Sequence, residues 1–223
     1  MALKPILFNT EMVLATLEGR KKETRRLVKP QPPRKARLEL IGDKRHAMDM
    51  SIESPGPDDH RIYTPPYLPG DVLYVREKFA YDGFDGHEDI YVYWADVDDC
   101  DRVVWGDLEK NEWAPVSDYH WHPSIHMPKE AARIFLRVTD VRVERLQEIT
   151  DKGARAEGCG DPDVIYYNGW LRCEFAELWD STIKPEKRDT YGWAANPWVW
   201  VIEFERCEKP TEAADQRDNT ELG

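Results

Sequence analysis

A chain of 223 residues can build one large domain or two small ones, and nine Trp, ten Tyr and six Phe supply enough apolar bulk to exclude global disorder. A net charge of −12, from 31 basic and 43 acidic side chains, excludes a surface that coats a nucleic-acid backbone at large. No apolar run reaches the roughly eighteen residues of a membrane helix, and "MALKPILFNTEM" lacks the apolar length and ending of a secretory signal, so the expectation is a cytoplasmic protein without a membrane partner.

In chain order, "FNTEMVLATLEGR" reads as a short helix capped by Asn9 or Thr10, with Val13, Leu14 and Leu17 on one face. Gly19 stands where a left-handed residue ends a helix, which puts the basic run "GRKKETRR" on the exit turn. From Gly19 to Leu38 there are nine Lys or Arg and one acid, Glu23, or +8; the rest of the chain therefore carries −20. That asymmetry suggests a local anion site. Residues 29–66, rich in proline and polar groups, read as a long excursion with little regular structure.

"GDVLYVREKF" alternates as a strand, with Leu73, Val75 and Glu77 on one face and Val72, Tyr74 and Arg76 on the other. Glu77 then either lies at the mouth of a pocket or, if the strand stops at Arg76, faces water. "DIYVYWAD" reads as a second strand, and residues 97–118 as an acidic surface insertion. "ARIFLRVTDVRVERL" reads as two strands or one bent strand, with a break near Thr139 and Asp140. A short helix capped by Thr150 follows, weakened by Gly153, and then a helix with Leu171, Phe175, Leu178 and Trp179 at helical spacing. "NPWVWVIEFER" is the last strand, and residues 207–223 read as a disordered tail.

Strands that do not alternate regularly with helices favour one α+β domain over residues 1–206, built on a small, strongly curved sheet or barrel with peripheral short helices. Cys100, Cys159, Cys173 and Cys207 form no C-x-x-C pair and read as reduced thiols. His120, His122 and His126 cluster in "YHWHPSIHMP", but no acid or cysteine stands at a diagnostic spacing, so no metal is expected. Trp121, Ser124 and His126, on this proline-bounded loop, could instead line a flat aromatic ligand. Phosphate-binding and hydrolase loop motifs are absent, and no cofactor is expected.

Within the basic run stands Gly19-x-Lys21-x-x-Thr24-x-Arg26, and G-x-K-x-x-T-x-R after a first short helix resembles the signature of the ASCH domain, a β-barrel relative of the PUA RNA-binding fold. "PGDVLYVRE", "WHPSIHMPKEAARIFLRVTDVRVERLQEIT", "AEG", "FAELWDS" and "NPWVWVIEFE" look like the further blocks of the longer, prophage-type ASCH proteins, so the resemblance spans most of residues 4–206. It implies a PUA-like barrel whose pocket takes RNA or a modified nucleoside. It also implies a possible amidohydrolase for N4-acetylcytidine, with Lys21 and Thr24 matched by the motif and Glu77 by strand context. Gly19 and Arg26 complete the motif as substrate contacts. A non-catalytic RNA-binding module, a ribonuclease of the ASCH type, and a phage accessory protein acting through protein contacts on the acidic insertion stand as alternatives.

Overall fold

The computed structural model of the chain describes residues 2–33, 35–42, 46–50, 62–84, 86–104 and 113–210. Strand β1 (Leu3–Leu7) leads into helix α1 (Thr10–Leu17), which opens where the Asn9 side chain accepts from the Met12 amide at 2.8 Å. Gly19, at φ +76°, ends it in the left-handed region as expected. Its buried row is Val13, Ala15 and Thr16, while Leu14 is exposed, which corrects the expected face. Thr16 can be buried because its hydroxyl donates to the Met12 carbonyl at 2.7 Å.

β2 (Glu23–Leu27) follows the basic run. The excursion at 29–66 is more regular than its composition suggested. It holds an antiparallel sheet of β3 (Leu38–Ile41), β4 (His46–Asp49) and β5 (Ile62–Tyr63), in that order. Leu38, Ala47 and Tyr63 are buried, one on each of the three strands, so few apolar side chains serve this small sheet. Next come β6 (Val72–Arg76), β7 (Phe79–Phe84), β8 (Asp89–Tyr93), β9 (Arg102–Val104) and β10 (Trp113–Pro115).

The region expected to break near Thr139 and Asp140 is one continuous strand, β11 (Phe135–Arg145). Thr150 caps α2 (Asp151–Ala156) by accepting from the Gly153 amide at 3.1 Å. α3 (Trp170–Thr182) buries Leu171, Phe175 and Trp179, and α4 (Arg188–Tyr191) precedes β12 (Trp198–Cys207). Among the described residues no helix is long and apolar enough to cross a membrane.

Residues 1–206, expected as a single domain, contribute to two compact units. The first takes the described residues within 1–18, 72–136 and 206–223. In it β1 and β6 pair in parallel, Leu3 against Val72 and Leu7 against Arg76. β7 and β8 pair antiparallel with an irregularity between Tyr81 and Gly83. Its main apolar cluster gathers Val72, Tyr74, Phe79, Met127, Ala132 and Phe135, and a smaller one joins Ala80, Val92 and Val103. The expected acidic insertion lies here; its described part contains the β9–β10 pair, with Arg102 held to Asp98 at 2.7 Å, while residues 105–112 lie outside the described residues.

The second unit takes the described residues within 19–71 and 137–205. Its central ladder runs β11–β12–β2, with Thr24 opposite Ile202 and Arg26 opposite Trp200 in the antiparallel β2–β12 pair. Trp198, Val199, Trp200, Val201 and Ile202 are all buried, so β12 is covered on both faces, as a central strand must be. α2 and α3 bring Ala154, Leu171, Phe175 and Trp179 onto Val199 and Val201.

Closing a sheet requires its end strands to pair, and β2 stands at the end of its ladder. Among the described residues no sheet closes into a barrel. This corrects the barrel expectation and leaves an α+β fold of small sheets with a few helices. The four cysteines are free thiols, and burial pushes the Cys159 thiol up to about 12. The tail expected from residue 207 begins after β12 ends at Cys207, and residues 211–223 lie outside the described residues.

The turn after α2 generates a stability prediction. Gly160 has φ +77°, and a Cβ there would stand 2.6 Å from Leu171 Cδ2 and 3.0 Å from the Tyr166 ring. Gly160→Ala is expected to destabilise the protein by about 2 kcal/mol in urea titration, because the left-handed backbone and the clash act together. An unchanged midpoint would contradict this packing.

Candidate functional site

Period two along β2 puts Glu23 and Arg25 on one face and Thr24 and Arg26 on the other. Two main-chain hydrogen bonds fix the preceding turn: the Lys22 amide donates to the Ala156 carbonyl at 2.7 Å, and the Phe204 amide donates to the Lys22 carbonyl at 2.9 Å. The basic run is therefore tied to the end of α2 and to β12. Lys21, only 3% exposed, points its amine at the residue that caps α2. Its Nζ donates to Glu157 Oε2 at 2.6 Å and to the Glu157 carbonyl at 2.8 Å.

Glu157 also accepts from Arg25, whose Nη1 lies 3.2 Å from Oε1 and 2.7 Å from Glu23 Oε1. The same guanidinium reaches Glu144 through Nη2 at 2.8 Å and lies over the Phe175 ring. Arg142 extends the array: it donates to Glu23 Oε2 at 3.0 Å and pairs with Glu144 and Glu203. Lys21, Arg25, Glu23 and Glu157 are buried. Charges this dry persist only when paired and hydrogen-bonded, and here each of these four meets opposite charge.

On the opposite face, Arg26 Nη1 donates to Thr24 Oγ1 at 3.0 Å and to the Arg25 carbonyl at 3.1 Å. Thr24 is buried and Arg26 half-buried. Burial is the largest influence on Lys21 and lowers its pKa from the usual lysine value; Glu157 opposes that shift, and Arg26 adds to it. Arg26 is also lowered by burial, against the pull of Tyr67 and Glu157. Lys21 thus feels both Glu157 and Arg26, and Arg26 in turn holds the Thr24 hydroxyl oxygen. The site contains an amine that gives up its proton more readily than an exposed lysine, and a hydroxyl oxygen held by a guanidinium.

The first unit holds the remaining residues singled out in the sequence. β6 does stop at Arg76, yet Glu77 is 2% exposed and not solvated. Arg133 clamps its carboxylate with Nε at 2.9 Å and Nη2 at 3.0 Å, while Arg133 Nη1 bonds both oxygens of Asp96. The guanidinium lies 3.9 Å from the centroid of the Tyr93 ring. Burial raises the Glu77 pKa above the ordinary carboxylate value, with Arg133 opposing.

Trp121 packs at right angles to Trp94 and donates Nε1 to the Val116 carbonyl at 3.0 Å. Ser124 and His126 form a single 3-10 turn, Ser124–His126, closed by the Met127 amide on the Ser124 carbonyl; His126 is exposed and Ser124 half-buried. His122 is used in packing: its main chain bridges Phe79 and its ring lies 5.4 Å from that phenyl group. Among the described residues no group of three His, Cys, Asp or Glu side chains could hold a metal ion. Gly19, Lys21, Thr24 and Arg26 therefore share one unit, and Glu77, Trp121, Ser124 and His126 the other.

Glu157, Glu144, Arg142 and Arg133 carried no signal as site residues. Glu157 stood in "AEG", which pattern alone marks only as helix. A cavity of about 570 Å³ lined by Gln31, Arg145, Asp180, Arg188 and Asp189, among others, includes none of the residues singled out in the sequence. Comparison with protein-family models, with curated proteins and with solved structures finds no match to this chain.

Two predictions follow from these ion pairs. A Cβ at Gly153 would lie 3.1 Å from Ile149 Cγ1 and 3.2 Å from both Arg25 Nη2 and Glu23 Oε1. Replacing a helix glycine by alanine ordinarily stabilises by up to about 1 kcal/mol. Gly153→Ala is expected to lower the urea midpoint instead, since the ion array cannot give way; a raised midpoint would show that it can.

Arg133→Met should leave Glu77 buried without its clamp and cost about 3 kcal/mol at pH 7. A buried carboxyl with a raised pKa costs stability above its folded pKa, and this cost vanishes below the unfolded value. The gap between variant and parent should therefore narrow as pH falls towards the ordinary glutamate range. A gap independent of pH would remove Glu77 from the explanation.

Proposed function

We propose that this chain is a cytoplasmic ASCH-type protein of PUA-like ancestry that binds a modified nucleoside, free or within RNA, and hydrolyses the amide of an N4-acylated cytidine. The observation that carries the reading is Lys21: a buried amine with a lowered pKa, coupled to Arg26, which in turn donates to the Thr24 hydroxyl oxygen.

Amide hydrolysis needs a nucleophile, a base for its proton, a donor for the oxyanion and a proton for the leaving amine. Neutral Lys21 takes the Thr24 hydroxyl proton as Oγ1 attacks the acyl carbon. Arg26, already 3.0 Å from Oγ1, supplies positive charge beside the forming tetrahedral centre. Collapse breaks the C–N4 bond, and the lysine returns the proton to the departing cytosine amine. Water then cleaves the acyl-threonine, so the balance is amide plus water to amine plus carboxylate. The resemblance assigns an acid role to Glu77, but that carboxylate is clamped by Arg133 in the other unit and takes no step in this scheme.

Charge favours a compact ligand over a long phosphate backbone. Of the five basic side chains in "GRKKETRR", Lys21 and Arg25 are bound to carboxylates, Arg20 donates to the Gly158 carbonyl at 2.5 Å, and Arg26 donates to Thr24. A run so occupied within the protein offers little to a polyanion. A binding-only RNA module is the second reading: the cationic form of Lys21, with Arg26, would hold a phosphate or a base edge.

The test incubates the protein and its Lys21→Ala, Thr24→Ala and Glu77→Ala variants with N4-acetylcytidine and, separately, with labelled RNA. Cytidine and acetate are expected from the parent, with the rate falling about 100-fold or more in the Lys21 and Thr24 variants. The rate should rise with pH as Lys21 loses its proton. If the parent forms no cytidine but binds RNA in a salt-sensitive way, the binding module replaces the hydrolase. RNA cleavage abolished by Lys21→Ala would favour a ribonuclease, and neither activity would leave a protein-contact role.

A further inference from the structure

We infer that Glu157 is the positioning residue of this site: it holds the Lys21 amine in place and couples it, through Arg25, to the carboxylates of β2 and β11. The inference rests on the reading of Lys21 as the working amine, and it concerns a residue outside the G-x-K-x-x-T-x-R pattern.

Three observations carry it. First, the contact is doubled, because Nζ donates both to the Glu157 carboxylate at 2.6 Å and to the Glu157 main-chain carbonyl at 2.8 Å. Two acceptors from one residue fix the direction of the flexible lysine stem as well as its charge. Second, Glu157 is itself held. It caps α2, its amide donates to the Gly153 carbonyl, and its other carboxylate oxygen accepts from Arg25 at 3.2 Å. Arg25 is anchored in turn on Glu23 and Glu144. Third, both partners are buried, so water does little to screen the pair.

The groups that act on the Lys21 charge come from three places: Glu157 at the end of α2, Arg26 on β2 and Cys159 in the turn beyond α2. Burial and Arg26 favour the neutral amine and Glu157 favours the ammonium form, while Cys159, whose thiol is pushed up to about 12, stays uncharged as the amine titrates. Glu157 is therefore a brake on deprotonation as well as a guide. A site with this carboxylate works at higher pH than one without it, but with the amine correctly aimed.

Glu157→Gln separates these two effects. The Lys21 side-chain signal, followed by heteronuclear NMR with lysine-labelled protein, is expected to titrate at lower pH in the variant than in the parent. In the N4-acetylcytidine assay the acid limb of the rate profile should move the same way, while kcat on the plateau falls about tenfold as the amine loses its aim. Glu157→Asp keeps the charge on a shorter arm. It should restore most of the parent titration, and Glu157→Ala provides the measurement if the Gln variant does not fold. A Lys21 titration unmoved in Glu157→Gln, or in Glu157→Ala where it takes that place, would overturn the inference and leave Glu157 as scaffold. If the parent hydrolyses no acylcytidine yet Lys21 shifts as described, the proposed reaction fails and the positioning role stands.

Discussion

The second unit depends on one constraint: two cations of "GRKKETRR", Lys21 and Arg25, enter the protein interior and must find carboxylates there. A buried guanidinium or ammonium without a partner costs several kcal/mol, on the order of the whole stability of a domain. The partners come from three places, Glu23 within the run, Glu144 on β11 and Glu157 at the end of α2. Satisfying Arg25 thus requires β2, β11 and α2 to arrive together, which makes the ion array a specification of the fold as well as a set of contacts. Gly153 belongs to the same specification. In the sequence it looks like a defect in a short helix, whereas in the structure its missing side chain leaves room for Arg25 and Glu23.

The same constraint changes the meaning of the local charge. Counted along the chain, +8 over twenty residues suggests an anion site. Counted in space, Lys21, Arg25 and Arg37 are answered by carboxylates, that of Lys21 lying 136 residues away in sequence. What the run offers chemically is therefore its arrangement more than its charge: one desolvated amine just ahead of β2, and one hydroxyl and one half-buried guanidinium together on a face of that strand. Such a group suits a single polar bond in a small ligand better than a repeating phosphate.

Much of the local structure was legible because it is written locally. The caps at Asn9 and Thr150, the left-handed exit at Gly19 and the buried row of α3 each involve residues within about one or two helical turns of one another. Lys21, Thr24 and Arg26 were singled out by the resemblance of their run to a family motif, and they do share a strand and its approach. What could not be read was pairing across the chain. Glu77 shows this well: alternation left it either at a pocket mouth or in water, and it is neither solvated nor part of β6, because Arg133, 56 residues later, holds it inside. Glu157 was hidden for the same reason. In the excursion at 29–66, composition reports average polarity, whereas the described residues hold three short strands that each bury one side chain.

The choice of lysine at position 21 bears on whether the array is scaffolding or chemistry. An arginine could answer Glu157 with better geometry, as Arg25 does beside it, and would keep its charge under all ordinary conditions. Lysine is the less secure structural partner, because burial drives it towards the neutral form. Scaffolding alone has no use for that property. A base that must accept a proton from Thr24 and return it to a leaving amine does, and burial eases the loss of the amine's proton while Glu157 opposes it. The titratable cation is thus the feature of the array that a purely structural role leaves unexplained, and it lies at the residue where the proposed chemistry needs it.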